Sequence, residues 1–255
     1  MKNVLVYTSF KHSFDKEHEI LAKIQIDNIL DLGGTRDDIL IFTNFEFEYD
    51  GVTSTVIPDV FTVIKHGEDR RYDPTSHKIP VVMYLIENKL IDEDQLYWCH
   101  DFDCYQNYTF TEEDIDMGGL AFGAAMYGYK PEWQLGGFFF TTKALDMLKT
   151  LYTGIESCRY FGRVDEKKFT SLVKSGGIDR NLIKELNVTY NFTALYQQLT
   201  YPVAEKPIKV VHFHPWQNVG TEQSGTDIFI HGKNKAGIPL ASDRLIKIFN
   251  KHGIK

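Results

Sequence analysis

The order of strand and helix patterns in the N-terminal part of the chain limits the fold more than any other feature of the sequence. Short apolar runs at Asn3–Thr8 and Ile39–Thr43 predict strands, and residues 15–32 between them place apolar side chains at helical spacing. A third, short strand is predicted within Val56–Ile64. The chain therefore begins with a strand, a helix and two further strands, which is typical of a layered α/β protein.

A polar stretch follows these strands, and the pattern then returns to helix and strand. Ser76 is positioned to cap a helix in which Pro80 falls in or near the first turn. This helix leads to the apolar run 95–99, which predicts a buried strand ending at Asp101. The resulting order predicts a mostly parallel central sheet with helices on both faces, and such sheets bind ligands beyond the carboxyl ends of their strands.

The downstream half continues the alternation. Four further elements are predicted there, namely a helix capped by Thr142, a helix at 165–174, a strand at Ile208–Phe213 and a helix at Ser242–Lys251. No repeat, low-complexity tract or linker-like segment interrupts the pattern. We therefore predict a single domain over residues 1–255, with its core at about 3–216 and a helical tail at 240–252.

Two acidic residues, Asp101 and Asp103, come directly after the buried strand at 95–99. Residues i and i+2 of an extended segment point to the same side, so both carboxylates can converge on one hard cation or one polar group of a substrate. Other acidic pairs with this spacing, in Asp92–Asp94 and Asp114–Asp116, lie in polar surroundings. The position at a strand end therefore predicts a site for a metal and a diphosphate. A turn in which either carboxylate caps backbone amides is the alternative.

Composition and charge narrow the range of partners. The net charge is −7 and no run of Lys or Arg exceeds two residues, so we expect no extended groove for nucleic acid. A nucleotide-sized ligand needs only a few cations, and candidates are Lys78, Arg159, Arg163 and Lys233. Three cysteines without C-x-x-C spacing favour a reducing cytoplasm. No window approaches the roughly 20 apolar residues that a membrane span requires, so no transmembrane segment is expected.

Five segments occur in an informative order, which is NVLVYTSF, HDFD, LGGFFFTT, VDEKKF and VVHFHPW. Their order and spacing, over about residues 3–216, resemble those of metal-dependent glycosyltransferases of the GT-A fold, which transfer a sugar from a nucleotide diphosphate sugar. HDFD matches the Asp-x-Asp of that family, and VVHFHPW is similar to the strand whose histidine completes the metal site. Two positions depart from the family pattern, because Gly136 replaces the usual Asn and Glu166 the usual Gln.

The resemblance implies a role for individual residues. A divalent metal, Mn²⁺ or Mg²⁺, would be bound by Asp101, Asp103 and His212, with Asp103 as the main ligand. Oxygen ligands suit both ions, and an imidazole ligand favours Mn²⁺. The residues implied in binding the nucleotide sugar are Thr8, Lys78, Asp101, Gly136, Gly137 and His214. Asp165 and Glu166 would be the catalytic residues that act on the acceptor hydroxyl or on the sugar.

Alternatives stay open for several of these residues. A buried core histidine is the alternative for His212, and a helix N-cap is the alternative for Asp165, with Glu166 favoured there by the helix dipole. Gly136 and Gly137 suit either a close approach of backbone to a ligand or close packing between strands. Inverting transfer, which needs a base opposite the leaving group, and retaining transfer, which needs a nucleophile or a stabilising wall, are both open.

The sequence favours a cytoplasmic glycosyltransferase that uses a UDP- or GDP-sugar and a glycan, a protein or a modified nucleobase as acceptor. A nucleotidyltransferase would also need two metal-binding carboxylates. Such enzymes usually carry a glycine-rich loop with a basic residue after the first strand, and the corresponding segment YTSFKHSFDK contains no glycine. The third hypothesis is a sugar- or nucleotide-binding protein without catalytic activity.

Overall fold

The structure is a computed structural model, and it describes residues 1–67, 69–73, 75–158, 164–194, 196–217, 224–232 and 240–255. Within these ranges the helices α1 to α8 are Lys16–Asp31, Lys78–Glu87, Glu112–Ile115, Leu145–Glu156, Val164–Ser175, Gln197–Thr200, Gly225–Phe229 and Asp243–Lys251. The strands β1 to β13 are Lys2–Tyr7, Ile39–Thr43, Glu48–Tyr49, Val52–Val56, Ile64–His66, Asp69–Arg71, Tyr97–His100, Cys104–Gln106, Phe122–Met126, Trp133–Phe140, Ile183–Leu186, Phe192–Thr193 and Val210–His212.

Eight of these strands form the central sheet, in the order β11-β9-β10-β7-β1-β2-β4-β3. The pairs β7-β1, β1-β2, β2-β4 and β11-β9 are parallel, whereas β10 is antiparallel to both of its neighbours and β3 is antiparallel to β4. Only β3 and β10 therefore run against the other strands of this sheet. The predicted α/β class with a mostly parallel central sheet is confirmed.

Helices cover both faces of the sheet, and strand β1 shows why. Successive side chains of a strand point to opposite faces. Leu5 and Tyr7 pack in one hydrophobic cluster with buried residues of α1 and α8. Val4 and Val6 pack in a second cluster with buried residues of α2, α4 and α5. A continuous apolar run is therefore the pattern expected of a strand buried on both faces.

A smaller sheet of three strands, in the order β12-β13-β8, lies beside the central one. Helix α1 anchors it, because the Gln25 amide donates to the carbonyl oxygens of Phe102 at 2.8 Å and Cys104 at 3.0 Å. The Asn28 amide donates to the carbonyl oxygen of Gln106 at 3.0 Å. Two buried side chains of one helix thus hold the backbone of residues 102–106, which contains Asp103 and follows Asp101, beyond the carboxyl end of β7.

Several predicted elements agree with the structure. Asp15 caps α1 by accepting a hydrogen bond from the amide of His18 at 2.8 Å, and Gly33, with φ +91°, follows the end of the helix. Ser242 caps α8 by accepting from the amide of Leu245.

None of the helices in the described ranges has both the length and the apolar character needed to cross a membrane.

Three local predictions were wrong. The strand expected within Val56–Ile64 is instead β4, which ends at Val56, followed by a 3-10 turn over Asp59–Thr62. Ser76 does not cap α2, because the helix begins at Lys78 with His77 at the N-cap position. The amides of Thr75 and Ser76 donate to the carboxylate of Asp73 in the preceding turn. Thr142 begins a 3-10 turn ahead of α4, and its hydroxyl donates to the carbonyl oxygen of Glu93 at 3.1 Å.

Candidate active site

A cleft of about 320 Å³ opens where the carboxyl end of β7 meets the three-stranded sheet and the start of α5. Most of the residues that line the cleft are polar or charged. Its lining includes Thr75, Lys78, Asp101, Asp103, Tyr127, Gly136, Asp165, Glu166, Thr193, His212, His214 and Gln217. The position agrees with the expectation for a mostly parallel sheet, which binds ligands beyond the carboxyl ends of its strands.

Asp101, Asp103 and His212 form a cluster on this wall. Strand β7 ends at His100, and a tight turn follows in which the amide of Cys104 donates to the carbonyl oxygen of Asp101 at 3.0 Å. Strand β13 pairs antiparallel with β8 and places His212 opposite Cys104. One ligand atom from each of the three side chains lies within 4.8 Å of the others, and His212 Nε2 lies 3.3 Å from Asp103 Oδ1.

Asp103 and His212 each stabilise the charged form of the other. Burial by itself would raise the pKa of Asp103, but the charge of His212 and its hydrogen bond outweigh that effect and bring the pKa to about 2. Burial likewise opposes the charged form of His212, and the Asp103 carboxylate overcomes it, so the net pKa of His212 is raised. Asp103 is therefore an anion at neutral pH, as a metal ligand must be.

Lys78, from the first turn of α2, is a buried cation between two carboxylates. Its Nζ lies 2.7 Å from Asp101 Oδ1 and 3.9 Å from Asp165 Oδ2, and only 5% of its side chain is exposed. Burial disfavours the ammonium, but the two carboxylates more than compensate, so the pKa of Lys78 is raised and the side chain stays charged. The other candidate cations, Arg159, Arg163 and Lys233, lie outside the described residues.

Asp165 is buried in the first turn of α5, with 2% of its surface exposed. Burial raises its pKa to about 7, although Lys78 acts in the opposite direction. The neighbouring charges of Glu166 and Asp101 add to the increase. Because Asp165 lies inside the helix and not before it, the N-cap interpretation is wrong. A buried carboxyl group with a pKa near neutrality is instead typical of a functional site.

Glu166 is held by strands on the other side of the cleft. Its Oε2 accepts a hydrogen bond from the Tyr127 hydroxyl at 2.7 Å, and its Oε1 accepts from the backbone amide of Leu135 at 3.1 Å. Both oxygens of this carboxylate are therefore engaged, and its orientation is determined by β10 and by the residue that follows β9. Tyr127 was not predictable from the sequence, since a tyrosine after a strand carries no local signal of a role in a site.

The remaining predicted residues divide between the cleft and the core. Gly136 and His214 line the cleft. Burial lowers the pKa of His214 in spite of Asp103. Thr8 is fully buried, with its hydroxyl 3.4 Å from Nδ1 of the buried His77, and Gly137 faces Trp98 in the core. Neither Thr8 nor Gly137 lines the cleft. Any contact of these two residues with a ligand would therefore have to come from their backbone atoms.

Solved structures of other proteins share the fold of this chain. No family model and no curated protein sequence matches the chain, so any similarity is one of structure. The galactosyltransferase LgtC, solved in complex with donor and acceptor sugar analogs, superposes with a TM-score of 0.51 at 12% identity, over 98% of this chain and 96% of that one. This chain has the GT-A glycosyltransferase fold.

Two further glycosyltransferases are similar to the chain. One is involved in the glycosylation of the major capsid of PBCV-1, and it matches with a TM-score of 0.51 at 13% identity, over 83% of this chain and 92% of that one. The other is GlyE of Streptococcus pneumoniae TIGR4, with a TM-score of 0.55 at 12% identity, over 100% of this chain and 64% of that one. At these identities the similarity establishes the GT-A fold.

Proposed function

We propose that the protein is a glycosyltransferase that moves a sugar from a UDP- or GDP-sugar to a hydroxyl group of an acceptor, with a divalent metal in the cleft. The observation that carries the proposal is the cluster of Asp101, Asp103 and His212 at the cleft of a GT-A fold. Carboxylates at this position suit a diphosphate-bound cation, and neighbours with this fold transfer sugars. The assignment of a substrate class rests on this combination.

The three side chains fit a divalent cation. Two carboxylate oxygens and one imidazole nitrogen are available within 4.8 Å of one another. The oxygens suit both Mn²⁺ and Mg²⁺, and the nitrogen favours Mn²⁺. When bound, the ion would stabilise the negative charge that develops on the departing diphosphate. Asp103, with its low pKa, supplies the permanent anion of the set.

Lys78 would contribute a positive charge from the protein itself. It is held by Asp101 at 2.7 Å, lines the cleft, and keeps its ammonium protonated in a buried position. A fixed cation in a partly desolvated cleft stabilises an anionic group more strongly than a mobile surface lysine does. We therefore assign Lys78 to the donor side of the cleft, together with Asp101, Gly136 and His214.

Asp165 and Glu166 would act at the reacting end of the substrates. The carboxyl group of Asp165, with a pKa of about 7, can hold or release a proton near neutral pH, as acid–base catalysis requires. Glu166 presents a carboxylate whose direction is set by Tyr127 and Leu135. The acceptor would be a glycan, a protein or a modified nucleobase, and we propose a cytoplasmic location for the reaction.

A thermal-shift titration tests the proposal. We expect UDP or GDP to raise the melting temperature in the presence of Mn²⁺ and to have little effect after EDTA treatment, because metal and diphosphate bind together. Incubation with a panel of sugar nucleotides should then release nucleoside diphosphate slowly without acceptor. A nucleotidyltransferase would instead release pyrophosphate from a nucleoside triphosphate, and a catalytically inactive binding protein would release nothing. Either result would overturn the proposed function.

A further inference from the structure

Asn191 is a buried polar residue beside the metal-binding cluster that no local pattern in the sequence identifies. It lies between a 3-10 turn over Val188–Tyr190 and strand β12, and none of its surface is exposed. Strand β12 runs parallel to β13 and pairs Thr193 with His212. This pairing brings Asn191 against the imidazole of His212.

The amide of Asn191 makes a directed contact with that ring. Its Oδ1 lies 3.0 Å from Nδ1 of His212, and the thiol of Cys104 donates to the same oxygen at 3.8 Å. Nδ2 of Asn191 is buried and has no hydrogen-bond partner among the described residues. The oxygen, rather than the nitrogen, of the amide is therefore the group placed at the histidine.

This contact favours a proton on Nδ1 of the neutral His212 ring, in competition with the Asp103 carboxylate at Nε2. An amide oxygen only accepts, so the contact is a hydrogen bond when Nδ1 donates, and Nε2 then bears the lone pair. Nε2 is the atom that lies 3.3 Å from Asp103 in the metal-binding cluster. Without Asn191, the neutral ring would gain a hydrogen bond by placing the proton on Nε2 and donating to Asp103, which would block the lone pair that a cation needs.

We infer that Asn191 is a positioning residue that keeps His212 in the Nδ1–H tautomer and presents Nε2 to a divalent cation. The role of the cation rests on the proposed function. The hydrogen bond and the tautomer belong to the metal-free protein and do not depend on that proposal. The distinction allows the two to be tested separately.

Nitrogen-15 NMR of the histidine side chains in the full metal-free protein gives the first test. Because the Asp103 carboxylate raises the pKa of His212, spectra are recorded at increasing pH until this ring is neutral. The resonances of His212 can be assigned by comparison with His212→Gln. We expect the Nδ1–H form in the wild type. In Asn191→Leu, which keeps the branched shape but removes the acceptor, we expect the Nε2–H form to become populated. A predominant Nε2–H form in the wild type would overturn the inference, even if Asn191→Leu failed to fold.

Titration with Mn²⁺ alone gives the second test. Loss of the acceptor in Asn191→Leu should weaken Mn²⁺ binding by about 10- to 100-fold, the usual effect of removing such a partner. Asn191→Asp keeps an acceptor oxygen, so its affinity should stay close to that of the wild type or increase. If the two variants bound Mn²⁺ equally well, a positioning role would be excluded.

Asn3 offers a matched control, because it is another buried asparagine whose amide donates to a carbonyl oxygen, that of Asp38 at 3.2 Å, and it lies toward the amino end of β1, away from the cleft. Asn3→Leu should lower the melting temperature without changing the affinity for Mn²⁺. An equal loss of affinity in this control would show that Asn191→Leu acts through general destabilisation, which would also overturn the inference. A wild type that shows the Nδ1–H form but binds no Mn²⁺ would refute the proposed function and leave the tautomer assignment intact.

Discussion

The imidazole of His212 occupies the space that a side chain at Gly136 would need. A Cβ atom built on Gly136 would lie 2.2 Å from Cε1 and 2.7 Å from Nδ1 of His212, well inside van der Waals contact. Gly136 belongs to β10 of the central sheet and His212 to β13 of the smaller sheet. The glycine therefore allows the two sheets to bring a histidine to the cleft, which is a structural reason for glycine at this strand position.

Substitution of Gly136 by alanine should displace the imidazole from the cluster. We expect Gly136→Ala to weaken Mn²⁺ binding by at least about 10-fold and to destabilise the fold by about 1–3 kcal/mol, the usual cost of overpacking. The neighbouring Gly137→Ala is the control, because its Cβ would approach Trp98 at 3.1 Å in the core. That variant should lose stability and keep its Mn²⁺ affinity. Normal metal binding in Gly136→Ala would contradict the packing argument.

Replacement of Asp103 by asparagine removes the anion of the cluster while keeping its shape. We expect Asp103→Asn to stay folded and to lose Mn²⁺-dependent binding of UDP or GDP and all transfer activity, since a neutral amide is a poor ligand for a hard cation. Circular dichroism and the metal-dependent thermal shift measure the two effects. Metal-dependent activity in this variant would refute the assignment. His212→Ala should weaken metal binding by a smaller factor.

Removal of the Lys78 ammonium should lower the free energy of unfolding, because it leaves the carboxylates of Asp101 and Asp165 without their neighbouring cation. Breaking a buried ion pair costs about 3–5 kcal/mol, and the 35% exposure of Asp101 reduces the expected loss in Lys78→Met to about 2–4 kcal/mol at pH 8. The loss should be smaller at pH 5, where Asp165 is protonated. Urea unfolding at both pH values measures the difference.

The matched control for Lys78→Met is Lys149→Met. Lys149 also pairs with a carboxylate, that of Glu87 at 2.8 Å, but both side chains are nearly half exposed, at 46% and 44%. Solvent screening makes such a pair weak, so we expect an unchanged midpoint of unfolding. Equal stability of Lys78→Met and the wild type at pH 8 would show that the ammonium is not needed to neutralise the two carboxylates.

Asp165→Asn should change the dependence of stability on pH. The pKa of Asp165 in the folded protein is about 7, above its ordinary value of 3.8. The folded state therefore binds a proton that the unfolded state releases between these values. This contribution to stability is complete below the unfolded pKa and is lost as the pH rises through 7. We expect the variant to gain about 1–3 kcal/mol relative to the wild type between pH 5 and pH 8.

The same variant tests the proposed catalytic role of Asp165. Transfer activity should fall strongly, whereas the affinity for UDP with Mn²⁺ should change little, because the carboxylate is not in the cluster of metal ligands. Turnover and nucleotide affinity would be measured on one preparation. Full transfer activity together with the expected shift in stability would leave Asp165 with a purely structural role.

The Asp-x-Asp motif was predictable because its signal is local. The alternation of side chains along an extended segment places Asp101 and Asp103 on one side, and the buried strand before them indicates the end of a sheet strand. The structure brings His212 into the same cluster, and its role as a metal ligand stays a prediction. The N-cap interpretation of Asp165 was wrong because α5 already includes Val164, so Asp165 lies inside the helix. Its burial depends on what packs over α5.

The sequence by itself determined the α/β class, the mostly parallel sheet and the strand end that carries the two aspartates, because hydrophobic periodicity and capping residues act over a few neighbouring positions. Only the tertiary structure decided that Asn191 and Gly136 hold the ring of His212, that Lys78 lies between Asp101 and Asp165, and that Thr8 is buried. These contacts join residues far apart in the chain. The pairing of strands and the packing of helices bring them together, and no local pattern encodes a partner at that separation.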